Sequence, residues 1–380
     1  VIKMGGAINL GKIFGIQLRL HYSWFLIFAL LTVALVAPNW SSPFAWAVGI
    51  ATCLLFFASV VAHELAHSLV GRANDIPVTS ITLFIFGGMA MMTREASRPK
   101  AELKMAAAGP ICSAVIGGIF LLIWHFNPGM PPLVAQMVLW LTIMNFALAV
   151  FNLIPGFPLD GGRLFRAAIW RRSGDFRRST RIATRVGQGV GYFFIGCGIS
   201  VAVLSFVSSV QLPFGLNPFS GLWLVFIGWF LQNAAQTSYR QTEWRETLRQ
   251  FTAAQVMTSS YPTIPPDITL SRLVEEHIFP TGYRLFMVAG EGGFEGILTL
   301  DNIKAVSRQD WGVTRVKDIM TPRDQLVVAQ ASENALSILE RMNEGGINQI
   351  LVVSEGRVIG LVTRDSLMAF LRVHAELGTK

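Results

Sequence analysis

Six apolar stretches, each near the ~20 residues that carry a helix across a bilayer, fill the first two-thirds of the chain. They run roughly over 20–38, 44–70, 103–125, 132–155, 186–207 and 218–238. A bilayer offers no partners to peptide groups, so such runs must close their backbone hydrogen bonds internally, as helices. The chain is 52% hydrophobic and only 14% charged. That composition is too apolar for an ordinary soluble protein and implies a multi-pass membrane protein.

The basic residues assign an orientation. Connections 38–43, 125–132 and 207–218 contain no Lys or Arg. The alternate connections are rich in them. Arg72, Arg94, Arg98, Lys100 and Lys104 lie in one, and Arg163, Arg166, Arg171, Arg172, Arg177, Arg178, Arg181 and Arg185 in the next. Lys3, Lys12 and Arg19 precede the first stretch, while Arg240 and Arg245 follow the last. This alternation predicts six spans with both termini cytoplasmic, in the cell membrane. It also accounts for the net charge of +8, so no nucleic-acid partner is expected. Cys53, Cys112 and Cys197 all fall in apolar segments and read as buried hydrophobes. Stretch 132–155 contains Asn145 and Asn152, which leaves a broken or re-entrant helix open.

Residues 81–93 (ITLFIFGGMAMMT) are too few to span as a helix. Their β-branched and aromatic content, with Gly87-Gly88 as a turn, predicts a strand or hairpin dipping into the membrane against protein.

The second stretch ends in His63-Glu64-Leu65-Ala66-His67. Histidines four apart share one helix face, and an adjoining Glu completes the zinc-metallopeptidase pattern, in which the carboxylate is the general base. A catalytic zinc usually takes three protein ligands. Asp160, in Leu159-Asp160-Gly161-Gly162, ends an apolar stretch on the same cytoplasmic side and is the best third ligand; an isolated N-cap is the alternative. Asn152, eight residues earlier, reads locally as an interhelical hydrogen bond. His21 reads as an interfacial anchor, with a supporting role behind the metal ligands as the less favoured option.

From about Gln250 the composition turns polar and a repeat appears. Met257-Thr258 recurs as Met320-Thr321, and Gly296-Ile297-Leu298-Thr299-Leu300-Asp301 as Gly360-Leu361-Val362-Thr363-Arg364-Asp365. The first copy reads as helix 270–276, strand 285–288, strand 296–300 and helix 302–306, a tandem α/β module. Residues 237–248 are expected to continue the last span as a connecting helix.

HELAH, Ala108-Gly109-Pro110 and Phe151-Asn152-Leu153-Ile154-Pro155 with Pro158-Leu159-Asp160-Gly161-Gly162-Arg163 resemble the site-2 protease family, over roughly residues 8–240. The tail resembles a pair of CBS domains, a combination carried by one prokaryotic branch of that family. The resemblance implies an α-helical polytopic membrane domain (1–244) followed by a cytoplasmic CBS pair (245–380, copies at about 250–310 and 314–376). It implies an intramembrane zinc metalloprotease with one Zn2+ on His63, His67 and Asp160, Glu64 as catalytic glutamate, and Asn152 as the polar residue that donates to the oxyanion. The expected substrate is a single-span membrane protein, such as an anti-sigma or precursor sigma factor. Its unwound segment would be received as an added strand along Phe84, Ile85, Phe86, Gly87 and Gly88. Thr299, Asp301, Thr363 and Asp365 match CBS positions that hold ribose and phosphate, implying ATP, ADP or AMP. The local alternative is that they cap the helices that follow. CBS pairs commonly associate, so a homodimer is expected. The rival class is a CBS-regulated ion or metal transporter, with the same His and Asp side chains as transport ligands.

Overall fold

The computed structural model describes residues 7–85, 87–92, 96–207 and 217–377. Lys3, Phe86, Thr93 and Arg94 of the expectations above lie outside these. The chain divides into two compact units, Val1–Glu243 and Trp244–Lys380.

All six apolar stretches are helical: α1 (Ser23–Val36), α2 (Pro43–Arg72), α3 (Pro99–Phe126), α4 (Pro132–Asn152), α6 (Phe176–Val207) and α7 (Pro218–Leu248). A shorter helix, α5 (Asp160–Ser173), follows α4. Four have the length and composition to cross a membrane: Pro43–Arg72, Pro99–Phe126, Pro132–Asn152 and Phe176–Phe206. Local sequence sets the boundaries. The Ser42 side chain accepts from the Ala45 N–H to open α2, with Pro43 in the first turn. Gly174, at φ 69°, closes α5 by returning its N–H to the Trp170 carbonyl. Helix α4 runs unbroken over Pro132–Asn152, contrary to the broken option. The Asn145 and Asn152 amides donate to the Leu141 and Leu148 carbonyls at 2.9 and 3.0 Å, so neither amide needs a gap in the helix.

A four-stranded sheet lies against these helices, in the order β1 (Ala7–Ile13), β2 (Ile16–His21), β3 (Val78–Phe84), β4 (Gly87–Met92). Strands β3 and β4 form the expected antiparallel hairpin, with Phe84 opposite Gly87 and Ile81 opposite Ala90. The parallel pairing of β2 with β3 was not anticipated. It corrects the start of the first stretch, because Leu20 and His21 belong to β2 and α1 begins at Ser23. The period-2 alternation of Gln17-Leu18-Arg19-Leu20 suits a strand, and Leu20 joins Val60 and Leu83 in one core cluster. Ile16, Val78 and Ile81 form another, against Leu65 of α2. In this sheet β3 is internal and β4 lies at an edge.

The C-terminal unit contains the repeat. The first copy comprises α8 (Ala253–Val256), β5 (Thr263–Ile264), α9 (Leu270–Leu273), a π turn over Val274–Ile278, α10 (Phe279–Thr281), β6 (Leu285–Gly290), β7 (Gly293–Thr299) and α11 (Leu300–Lys304). The second has α12 (Val316–Ile319), β8 (Thr321–Pro322), β9 (Val328–Gln330), α13 (Ala335–Gly345), β10 (Gln349–Ser354), β11 (Arg357–Thr363) and α14 (Arg364–Glu376). Strand β8 pairs back onto β7, so the first sheet runs β5-β6-β7-β8 and the second β11-β10-β9. Two cores result, with the opening helices exchanged: Val256 of α8 packs with Ile338, Ile350 and Val362 of the second copy, and Val316 of α12 with Phe286, Val288 and Leu298 of the first.

Candidate metal centre

Helix α2 presents His63 and His67 one turn apart on its buried face, with only 3% and 6% of each residue exposed. Asp160, the first residue of α5, reaches the same point. Its Oδ2 is 3.2 Å from His63 Nε2 and 3.0 Å from His67 Nε2, and the two Nε2 atoms are 3.1 Å apart. Two residues nearly 100 positions apart in sequence thus converge on one spot.

The remaining ring nitrogens are committed elsewhere. His63 Nδ1 pairs with Ser113 Oγ at 2.9 Å, and His67 Nδ1 donates to the Met105 carbonyl at 2.7 Å. Both Nε2 atoms are therefore aimed at the Asp160 carboxylate, as orienting partners aim metal-binding histidines. Between Met105 and Ser113 on α3 lies Gly109. A Cβ there would overlap His67 Nε2 and His63 Nε2, so the helix leaves a hollow where these nitrogens sit. Three convergent donors, two nitrogens and a carboxylate oxygen, lie within 4.8 Å of one another beside that hollow. The donor set fits a zinc ion, which catalytic sites hold through three such protein ligands.

Met105, Gly109 and Ser113 were not recognised as supports from sequence. Their spacing of four along α3 was the available signal, since it puts a small and a hydroxyl residue on one stripe of an apolar helix. The Pro-Gly-Phe-Pro-Leu segment before Asp160 folds tightly over the first turn of α5. A Cβ at Gly161 would meet the Leu153 and Ile154 carbonyls, and one at Gly162 the backbone of Gly156 and Phe157. The adjacent glycines are required for that close approach.

Glu64 lies between the histidines in sequence and against the hairpin in space. A Cβ at Gly88 of β4 would overlap the Glu64 side chain. At the far end of β4, Arg163 Nη1 approaches Met92 Sδ at 3.8 Å. The hairpin is thus flanked by the residue beside the histidines and by the helix bearing Asp160. Phe84 and Ile85 lie at its turn, and the Ile85 N–H donates to Ser23 Oγ at 3.2 Å. Asn152 directs its amide N–H back into α4, and His21 Nδ1 pairs with Ser23 Oγ at 2.8 Å.

In the C-terminal unit, Thr299 and Thr363 each cap the following helix. Asn302 N donates to Thr299 Oγ1 at 3.4 Å and Ser366 N to Thr363 Oγ1 at 3.0 Å. The Asp301 side chain is 80% exposed and Asp365 is also exposed, so both carboxylates remain open to solvent.

Comparison with known proteins accords with this geometry. The profile of peptidase family M50 matches residues 51–133 and 131–195, and the CBS-domain profile matches 253–308 and 316–373. The chain is 35% identical to a relative named as a zinc metalloprotease in Synechocystis, over 98% of this chain and 97% of that one. It is 32% identical to zinc metalloprotease Rip3 of Mycobacterium tuberculosis, over 98% of this chain and 94% of Rip3. A solved site-2 protease from Methanocaldococcus jannaschii covers 61% of this chain and 94% of its own, at 32% identity and a TM-score of 0.42. The matches decide for a protease over a transporter. The chain belongs to peptidase family M50, the site-2 metalloproteases, as a membrane-embedded enzyme that carries a pair of CBS domains.

Proposed function

We propose that the chain hydrolyses a peptide bond in or near the transmembrane segment of a single-span membrane protein, with one zinc ion on His63, His67 and Asp160. The observation that carries this reading is the meeting of both Nε2 atoms with Asp160 Oδ2 beside the Gly109 hollow. Bound there, zinc supplies a Lewis acid for the scissile carbonyl and makes water acidic near neutral pH. Glu64 takes the proton of the attacking water and returns it to the leaving amine. Asn152 donates to the developing oxyanion after releasing the Leu148 carbonyl, an interaction worth about 3 kcal/mol in comparable sites.

A helical substrate has its carbonyls hydrogen-bonded and must unwind before attack. Among the described residues strand β4 is an edge strand of its sheet, and it rests on Glu64, which supports its use as the template for that unwound segment. Phe84, Ile85 and Phe86 at the turn, with Gly87 and Gly88, would border the seated strand. Six crossings in the cytoplasmic membrane with both termini inside would release the product inward. That direction suits an anti-sigma or precursor sigma factor as substrate.

Residues 245–380 act in this reading as the regulatory part, in which Asp301 and Asp365 accept from the ribose of an adenine nucleotide beside the capped Thr299 and Thr363. Pairing of two such modules would make the enzyme a homodimer. The test is co-expression of candidate single-span proteins with the wild-type enzyme or Glu64→Gln. Substrate that persists uncut only with the variant supports the reading, and equal cleavage by both overturns it.

A further inference from the structure

Arg166 lies on α5 two turns beyond Asp160, yet it is only 5% exposed. Its Nε donates to Glu102 Oε1 at 2.8 Å, its Nη2 donates to the same oxygen, and its Nη1 approaches Thr180 Oγ1 at 3.4 Å. The Phe157 and Phe176 rings flank the guanidinium, with centroids 4.8 and 4.6 Å from its carbon. Glu102 itself has no exposed surface.

These partners come from different pieces of the site. Phe157 belongs to the segment leading into Asp160, and Thr180 and Phe176 to α6. Glu102 belongs to α3, one turn before Met105. The same helix that orients His67 through Met105 and His63 through Ser113 therefore also grips the helix that carries Asp160.

A buried ion pair is weak as a source of net stability. Desolvation offsets the attraction, and well-packed apolar replacements are often neutral or better. A planar guanidinium between two rings is instead directional, since it fixes both the rotation and the axial position of its helix. Ligand geometry tolerates only about 0.5 Å of displacement before a site loosens.

We propose that Glu102 and Arg166 form a positioning pair that sets the register of α5 so that the Asp160 carboxylate meets the two imidazoles. The inference rests on the reading of His63, His67 and Asp160 as zinc ligands. The pair holds the third ligand relative to the helix that supports the other two, and leaves folding to the apolar contacts around it.

The experiment uses full-length protein in detergent. Zinc affinity is measured by chelator competition, thermal stability by unfolding, and geometry by the visible spectrum of the cobalt-substituted form. The double variant Glu102→Met/Arg166→Met is expected to melt close to the wild type while binding zinc at least about tenfold more weakly, the range seen for supporting partners. Its cobalt spectrum is expected to shift, and its kcat to fall with KM unchanged. Arg166→Lys keeps the charge without the planar fork, and should fall between the two. Wild-type zinc affinity and spectrum in the double variant would overturn the proposal. If the double variant does not fold, wild-type affinity in Arg166→Lys overturns it equally. Wild-type protein with no stoichiometric zinc would sink the metal-site reading itself, a distinguishable result.

Discussion

Gly88 and Glu64 are in such close contact that a methyl group on the glycine would occupy the position of the Glu64 side chain. The edge strand β4 and the residue beside the histidines therefore share one surface. Gly88→Ala must displace either the carboxylate or the hairpin, and overpacking of this kind costs about 1–3 kcal/mol. The expected result is a loss of at least tenfold in kcat, with zinc stoichiometry unchanged because the atoms nearest the new methyl all belong to Glu64. Cleavage assays and metal analysis on one preparation check both halves.

Gly109→Ala is the complementary change. Its methyl would fall on the Nε2 atoms of His63 and His67 rather than on the carboxylate. Metal content is therefore expected to fall along with activity, and excess zinc in the assay should restore part of both. Retention of full zinc by purified Gly109→Ala would show that α3 can withdraw from the histidines, and the hollow would lose its significance.

Ser113→Ala leaves every proposed ligand in place and removes only the hydroxyl that pairs with His63 Nδ1. The ring keeps its packing but loses the partner that fixes its tautomer and tilt. Loss of such a partner typically weakens metal binding about 10–100-fold. Ser113→Thr should recover most of it. Chelator competition on the three proteins is the measurement, with unfolding curves to show that the bundle is intact.

Those supports also mark where sequence reading stopped. HELAH and the PLDGG segment were legible because their information is local. Spacing on one helix puts two imidazoles on a face, and adjacent glycines announce a close approach. Met105 contributes only a backbone carbonyl to His67, which no side-chain pattern encodes. Strands β1 and β2 were missed because β2 is short and finds its parallel partner some 60 residues later, in β3. The register of the C-terminal repeat was nearly legible. Helices opened by Thr269 and Asn334 and closed by Gly282 and Gly346 differ by one residue, and the first copy takes up the extra one as the π turn Val274–Ile278. The Thr299 and Thr363 hydroxyls were offered two roles by the sequence, and the structure engages both in helix caps.

That capping separates folding from ligand binding in the CBS pair. Replacing Thr299 or Thr363 removes a cap worth about 1 kcal/mol, so a loss of nucleotide response in those variants would be ambiguous. Asp301 and Asp365 do not share the ambiguity, because both are exposed and the Asp301 carboxylate lies 3.9 Å from the Lys304 ammonium, a loose surface pair. Asp301→Ala/Asp365→Ala should therefore melt like the wild type without nucleotide. Ligand at 100 times its dissociation constant stabilises the folded state by about 2.7 kcal/mol, which an unfolding curve resolves. The wild-type full-length protein should accordingly melt higher with ATP, ADP or AMP, and the double variant should not. An unfolding temperature indifferent to all three adenylates in the wild type would leave the pair with a structural or dimerising role. A variant that responds like the wild type would move the ribose contact away from these two carboxylates.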